Sequence, residues 1–177
     1  TITAWNWLPA LSGPATVPNI TITTRTAFIA GVELQSAYHP SWLPHISKTA
    51  KYIQGMNANW VILSPTWSYA KDGSTLLIPD PAQDMSAYDF QTNAHNVQQF
   101  GLELGIHPQI NFENTSESYW AASPGDYAWW VSWFDRYHAF AMHYAHLAER
   151  TGAGLLILGG QDILPAMPRS TEGEENS

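Results

Sequence analysis

The sequence predicts an α/β fold in which parallel strands alternate with helices. Short apolar runs of strand length are separated by longer segments of helical periodicity, in the order β-α-β-α-β-α-β. Alternating units of this kind build parallel sheets with right-handed crossovers. The chain has 177 residues, the size of about one domain, and 45% of them are apolar, so a substantial core can form.

Residues 1–26 precede this pattern and are predicted to form an extended lead-in or the end of a preceding domain. They hold three prolines and a threonine-rich stretch at residues 20–24, without a helical period. Residues 27–168 carry the alternating pattern and form the predicted α/β domain. The sequence then becomes charged, and residues 169–177 are predicted to be a disordered tail.

The first half of the domain contains two predicted strands and two predicted helices. Residues 28–34 and 59–65 are apolar runs typical of buried parallel strands. Between them, residues 43–53 carry apolar side chains at helical spacing. Residues 90–100 do so again, after a polar stretch at residues 67–84 that is predicted to be a loop.

The second half contains two further predicted strands, at residues 105–113 and 155–160, around a long helix. Ser123 is predicted to be the N-cap of that helix, with Pro124 at its first position, and Gly152 ends it after about seven turns. Sites in parallel α/β folds form at the carboxyl ends of the strands. Functional residues are therefore expected in the long segments that follow the strands.

Composition excludes several classes of function. Lys and Arg number 7 against 15 Asp and Glu, so the formal net charge of −8 disfavours nucleic acid and anionic membranes as partners. No apolar run reaches the roughly 18 residues that a membrane span needs. The chain has no cysteine, three of its seven histidines lie on the long predicted helix, and the other four form no short ligand pair, so we expect no metal site and no cofactor. The lack of cysteine fixes no compartment, and an extracellular or cell-surface location is retained as an expectation.

The chain is rich in aromatic residues, with 9 Trp, 8 Tyr and 6 Phe. Two interpretations remain open. Either the rings fill the core, or some of them are flat platforms on which sugar rings stack while neighbouring polar groups bond the sugar hydroxyls. For the second interpretation, the stacking candidates are Trp42, Trp67 and Trp120.

The predicted third strand has one polar face. Its alternate positions, which point to one side of a strand, are His107, Gln109, Asn111 and Glu113, and the positions between them are apolar. A polar face against a covering helix layer would be costly, whereas a closed barrel admits one where it lines a ligand cavity. The alternation therefore favours a barrel. The alternative is an edge strand whose polar side lies in water.

Other strand ends add polar groups near the same edge. Glu33 ends the first strand, and Gln161 and Asp162 follow the fourth. Carboxylates at Glu33, Glu113 and Asp162 could converge there. Cleavage of a glycosidic bond needs such a pair, with one acid for the leaving oxygen and one base or nucleophile for the anomeric carbon. The alternative for each carboxylate is an ion pair or a loop cap.

A further set of segments carries a family resemblance. They are Gly31-Val32-Glu33-Leu34, Asn59-Trp60-Val61-Ile62-Leu63-Ser64-Pro65-Thr66-Trp67, Gly105-Ile106-His107-Pro108-Gln109-Ile110, Trp130-Val131-Ser132-Trp133-Phe134 with Tyr137, and Gly159-Gly160-Gln161. Together, across residues 27–168, they resemble the first half of a (β/α)8 glycoside hydrolase near the family 113 β-mannanases. The resemblance implies the N-terminal half of a TIM barrel, with four β-α units.

The same resemblance implies a retaining mechanism with two glutamates, an acid/base at the end of strand four and a nucleophile at the end of strand seven. The position that matches the strand-four glutamate is Gln161, and an amide cannot donate a catalytic proton. A complete barrel needs about 250 residues and eight strands, and this chain supplies no strand-seven carboxylate. This chain alone is therefore expected to be inactive.

The resulting expectation is a carbohydrate-binding half barrel whose partner is an oligo- or polysaccharide, with hydrolysis of a β-linked polysaccharide as the activity of the completed barrel. The expected sugar contacts are Trp42, Trp67, His107, Gln109, Asn111, Trp120 and Gln161, and the candidate catalytic residues are Glu33, Glu113 and Asp162. The open barrel is expected to be completed by a missing C-terminal half or by a second copy in a homodimer. The alternative function is a non-catalytic scaffold or interaction module that self-associates through the open barrel face.

Overall fold

The computed structural model describes residues 28–34 and 39–167. Within these residues the strands are β1 (Gly31–Glu33), β2 (Trp60–Leu63), β3 (Thr66–Tyr69), β4 (Leu77–Ile78), β5 (Glu103–Ile106), β6 (Gln109–Asn111) and β7 (Leu155–Leu156). The α-helices are α1 (Leu43–Gly55), α2 (Ala87–Gln98), α3 (Ser116–Ala122) and α4 (Tyr127–Thr151), and short 3-10 helices span Pro40–Trp42 and Gln161–Ala166. The predicted lead-in at residues 1–26 and the predicted tail at residues 169–177 lie outside the described residues.

Four of the strands form one parallel sheet in the order β1-β2-β5-β7. Every neighbouring pair in it is parallel, and the connections between the strands contain α1, α2 and α4. Strands that follow chain order, with a helix in each connection, are the arrangement from which a (β/α)8 barrel is built. The prediction of a parallel α/β fold is confirmed.

The two faces of this sheet have different roles. One face packs against the helices in a single apolar core, whose buried members include Ala50, Ile53, Val61, Leu63, Phe90, Val97, Leu104, Ile106, Tyr144 and Leu147. Alternate strand positions point to the other face. Glu33 is aligned with Ile62, and Ile62 is aligned with Gly105, so these three share that other face, which corresponds to the inside of a barrel.

Local capping explains where the long helix begins and ends. Asp126 is the N-cap of α4, and its carboxylate accepts a hydrogen bond of 2.8 Å from the backbone N–H of Trp129. Gly152 ends the helix in the left-handed conformation, at φ 65°. The prediction that Ser123 caps α4 is wrong. Ser123 ends α3 instead, and Gly125, at φ 66°, keeps the connecting segment out of the helical region.

The predicted third strand is in fact two strands, β5 and β6. β6 belongs to a separate three-stranded sheet of order β4-β3-β6. The break lies at Pro108, and Pro65 occupies the equivalent level of the neighbouring segment, because Leu63 is aligned with Ile106 and Thr66 with Gln109. Proline has no N–H to donate to a ladder. Regular pairing therefore stops at this level, although the N–H groups of His107 and Gln109 still donate to the carbonyls of Leu63 and Pro65, each at 2.9 Å.

Two other strand predictions differ from the structure. The predicted loop at residues 67–84 contains most of β3 and all of β4, so it is wrong in that part. The fourth strand is shorter than predicted, since β7 ends at Leu156, although the N–H of Ile157 still donates to the carbonyl of Ile106 at 2.8 Å. Gly159 and Gly160 follow with φ of 98° and 155°, and these conformations turn the chain away from the sheet.

Candidate functional site

Four polar side chains meet at the carboxyl ends of β1, β2 and β5. The carboxylate oxygen Oε1 of Glu33 accepts a hydrogen bond of 2.7 Å from the hydroxyl of Ser64 and lies 2.7 Å from Nδ1 of His107. The side-chain nitrogen of Gln109 lies 2.9 Å from the ring nitrogens of His107. We call these residues, Glu33, Ser64, His107 and Gln109, the Glu33 cluster.

Strand register explains why residues from distant parts of the sequence meet here. Glu33 lies on the inner face of the sheet beside Ile62 of β2. Ser64 is two positions beyond Ile62, and His107 is two positions beyond Gly105, so both continue the same face past the strand ends. The cluster therefore occupies the position in which parallel α/β folds place ligands.

The cluster holds Glu33 in its ionised form at neutral pH. Burial by itself raises the pKa of Glu33, but the hydrogen bonds from Ser64 and His107 and the charge of His107 outweigh it, so the pKa lies below its usual value. The Glu33 side chain is 44% exposed and that of His107 is 20% exposed. Glu33 is consequently an accessible hydrogen-bond acceptor and a poor proton donor.

A second polar cluster surrounds the buried carboxylate of Asp84, which is 4% exposed. The hydroxyls of Thr66 and Ser68 on β3 and the amide of Asn111 on β6 all donate to it. The backbone N–H of Asp80 donates as well, at 2.7 Å. Sequence reasoning missed Asp84, and the only signal was the spacing of two hydroxyl residues, Thr66 and Ser68, on one face of a strand.

The four polar positions predicted to line one hollow separate in the structure. His107 and Gln109 meet at Glu33, whereas Asn111 donates to Asp84 at 3.3 Å. The carboxylate of Glu113 is exposed and accepts from the backbone N–H of a loop residue at 3.4 Å. The division falls within β6, since Gln109 and Asn111 belong to the same strand but contact different clusters.

The candidate carboxylates are not joined by any contact among the described residues. Glu33 belongs to the Glu33 cluster, and Glu113 lies against the loop that follows β3. Gln161 and Asp162 are exposed in the first turn of the 3-10 helix Gln161–Ala166, which begins after the turn at the two glycines. The structure thus places one of the three candidate catalytic carboxylates, Glu33, within the strand-end cluster.

The three predicted stacking tryptophans have different surroundings. Trp42 ends the 3-10 helix before α1 and is 48% exposed. Trp67 is half-buried and packs against the aromatic core. Its ring centroid lies 5.2 Å from that of His143. Trp120 is half-buried among the tryptophans of α4, and its indole N–H donates to the carbonyl of Asp162 at 2.7 Å. Trp42 offers the largest exposed ring fraction of the three.

Residues 28–34 and 39–167 contain no group of three or more histidine and carboxylate side chains that could hold a metal ion. No helix within the same ranges is long and apolar enough to span a membrane.

Sequence comparison identifies the family. The family model of glycoside hydrolase family 113 matches residues 41–172, which is most of the chain. The chain belongs to glycoside hydrolase family 113. A search of curated protein sequences found no significant match.

Solved structures of family 113 share the fold. One β-1,4-mannanase complex superposes with a TM-score of 0.65 at 18% identity, covering 77% of this chain and 46% of the mannanase chain. The β-mannanase of Alicyclobacillus acidocaldarius, in complex with ManMIm, gives a TM-score of 0.58 at 21% identity, covering 73% of this chain and 43% of its own. A further β-1,4-mannanase structure gives 0.61 at 18% identity, covering 73% and 44%.

The chain spans less than half the length of these family 113 structures. The matched part is a partial barrel, in agreement with the prediction of a half barrel drawn from the sequence. The recognition of family 113 from the strand-end motifs is confirmed. At identities of this level, the structural likeness establishes the fold.

Proposed function

We propose that this family 113 chain binds a β-linked oligo- or polysaccharide, of the mannan type, at the carboxyl ends of its parallel strands. The Glu33 cluster is the observation that carries the proposal, because it gathers an ionised acceptor, an imidazole and an amide at the ends of neighbouring strands. The solved structures that share the fold are those of β-mannanases, which supports a sugar of this class.

Each member of the cluster has a distinct part in the proposed binding. Glu33 accepts hydrogen bonds from sugar hydroxyls, and such bonds to an ionised acceptor are roughly twice as strong as those between neutral groups. Ser64 and His107 keep its carboxylate ionised and fixed in orientation. Gln109 presents an amide that can donate and accept, and the exposed ring of Trp42 offers an apolar face for stacking.

Hydrolysis is assigned to the completed barrel and not to this chain alone. Gln161 stands where the resemblance places the acid/base, and the lowered pKa of Glu33 makes it a poor acid at neutral pH. Release of reducing sugar from mannan by this chain, abolished by Glu113→Gln or by Asp162→Asn, would contradict this assignment and identify the missing acid.

Titration of mannohexaose and cellohexaose, followed by tryptophan fluorescence and calorimetry, tests the binding. We expect saturable binding of mannohexaose with a Kd of about 1 mM or lower. Glu33→Gln removes the charge of the acceptor and is expected to weaken binding about tenfold, through loss of a charge-assisted hydrogen bond. Glu117→Gln, the same change at an exposed position on α3, is the matched control and leaves the affinity unchanged.

Two results would refute the proposal. One is the absence of any saturable response to either sugar at about ten times the expected Kd. The other is an equal affinity of the Glu33→Gln and Glu117→Gln variants, which would place the sugar elsewhere.

A self-associating scaffold is the second candidate function. Within the described residues, β1 and β7 are the outer strands of the parallel sheet, and each has a partner on one side only. Unpaired strand edges invite pairing with another chain. Sedimentation velocity separates the candidates, since a tight dimer that ignores both sugars favours the scaffold, and a sugar-responsive monomer favours binding.

A further inference from the structure

A pocket of about 240 Å³ lies beside the Glu33 cluster, whose Ser64 is part of its lining, between the ends of β1 and β2 and the helices α1 and α2. Its walls are mostly apolar and are formed by Leu34, Leu43, Ile46, Leu63 and Met85. Its exposed rim includes Trp42 and His45. Apolar cavities of about 150 Å³ accept a benzene molecule, so the space is sufficient for one six-membered ring with a substituent.

Asn93 lines this pocket and is an unusual residue to find there, since it is 2% exposed. Its side-chain nitrogen donates to the sulfur of Met85 at 3.4 Å, whereas its side-chain oxygen has no hydrogen-bond partner among the described residues. If the amide were flipped, its oxygen would face the sulfur of Met85, and both atoms are acceptors. The side-chain oxygen is therefore the atom without a partner. A buried acceptor of this kind is costly unless something donates to it.

The neighbouring polar groups are already committed. The hydroxyl of Ser64 donates to Glu33, and the hydroxyl of Thr49 donates to the carbonyl of His45. Neither hydroxyl therefore donates to Asn93, and the missing donor has to come from a bound molecule. A ring with a single O–H group supplies that donor and fits the mostly apolar walls.

We propose that this pocket, the Asn93 pocket, binds a small aromatic alcohol whose hydroxyl donates to Oδ1 of Asn93. The ring lies against the aliphatic walls, and the sulfur of Met85 makes a favourable contact with it. Leu63 and Met85 exclude ligands that carry several polar groups, because most of those groups would lose their water without gaining a partner. The Asn93 pocket shares Trp42 with the proposed sugar contacts and Ser64 with the Glu33 cluster. Asn93 itself lies on α2 and is not one of the proposed sugar contacts.

The test uses the full 177-residue chain with phenol and benzene as probes, followed by the methyl signals of Met85 and Ile46 in ¹H–¹³C NMR spectra. We expect saturable shifts with both probes and about tenfold tighter binding of phenol, which is the effect of one hydrogen bond to a buried acceptor. This comparison needs no variant. Asn93→Leu keeps the volume and removes the acceptor, and it is expected to erase the preference for phenol while retaining benzene.

Gln91→Leu is the matched control, because it makes the same chemical change at an exposed position of α2, and it keeps the tenfold preference. The absence of saturable shifts at Met85 and Ile46 with either probe would overturn the site. Equal affinity of the unmodified chain for phenol and benzene, or a phenol preference that survives in Asn93→Leu, would overturn the role of Asn93. None of these outcomes depends on sugar binding, so the two proposals fail separately.

Discussion

Replacing Asp84 by alanine removes the carboxylate to which side chains of β3 and β6 donate hydrogen bonds. Side-chain donors reach its carboxylate from Thr66, Ser68 and Asn111, and the backbone N–H of Asp80 adds a further bond at 2.7 Å. A hydrogen bond to a charged group contributes about 1.5–3 kcal/mol, and a buried donor left without a partner costs a similar amount. Hydroxyls can turn toward other acceptors, whereas a backbone N–H cannot.

The expected net loss is smaller than the sum of these bonds, because the alanine variant no longer buries a carboxylate. We expect Asp84→Ala to lower the free energy of unfolding by about 2–4 kcal/mol. The measurement is urea denaturation at pH 7, where a stability change moves the midpoint without changing the slope.

Asp135→Ala, at an exposed position of α4, is the control for loss of an acidic side chain. It is expected to change the free energy of unfolding by less than about 0.5 kcal/mol. If the two variants unfold at the same urea concentration, the reasoning about Asp84 is refuted. The donors would then be satisfied by water, and the sheet β4-β3-β6 would be held by its ladder hydrogen bonds and by packing alone.

Three further predictions follow from single features. The pKa of Glu33 is lowered in the folded state, so its stabilising effect is present above the unfolded value of about 4.5 and is lost as the pH falls through the lower folded value. Glu33→Gln should therefore lower the melting temperature more at pH 7 than at pH 3, and a constant difference across that range would contradict it. Asn93→Leu should raise the melting temperature by about 2–4 °C, because it removes an unpaired buried acceptor, whereas the control Gln91→Leu should not raise it. An unchanged or lower melting temperature of Asn93→Leu would show that the acceptor is satisfied. Gly73 and Gly101 both adopt positive φ, but a Cβ on Gly73 would lie 2.5 Å from a backbone oxygen, whereas one on Gly101 would meet nothing within 4 Å. Gly73→Ala should therefore lower the free energy of unfolding, measured with denaturant, by at least about 2 kcal/mol more than Gly101→Ala does. Equal losses in the two variants would rule out the clash.

The strand order was accessible from the sequence because buried parallel strands and amphipathic helices have distinct periodicities. Val61 and Leu63 fall within a continuous apolar run, and the stripe from Leu43 to Ile53 repeats at helical spacing. The family could be recognised from the sequence for a related reason, because strand-end residues such as Glu33 and Gln161 lie next to these apolar runs.

The details of the site were less accessible because they depend on contacts between distant segments. An alternation of polar and apolar residues from His107 onward predicts one strand, but Pro65 and Pro108 interrupt two segments together only when those segments lie side by side. Asp84 and Asn93 belong to a loop and a helix whose partners are set by tertiary packing. Periodicity identifies which residues share an element, and it carries no information on which elements meet.

The break at Pro65 and Pro108 has a consequence for protein engineering. Beyond it, the ladder between β3 and β6 is supplemented by side-chain bonds that converge on Asp84 from both strands. An exchange of loops between related barrels that moved residues 70–84 without Thr66, Ser68 and Asn111 would transplant a carboxylate without its donors. These four residues should therefore be transferred as a unit, and chimeras cut between them are expected to express poorly.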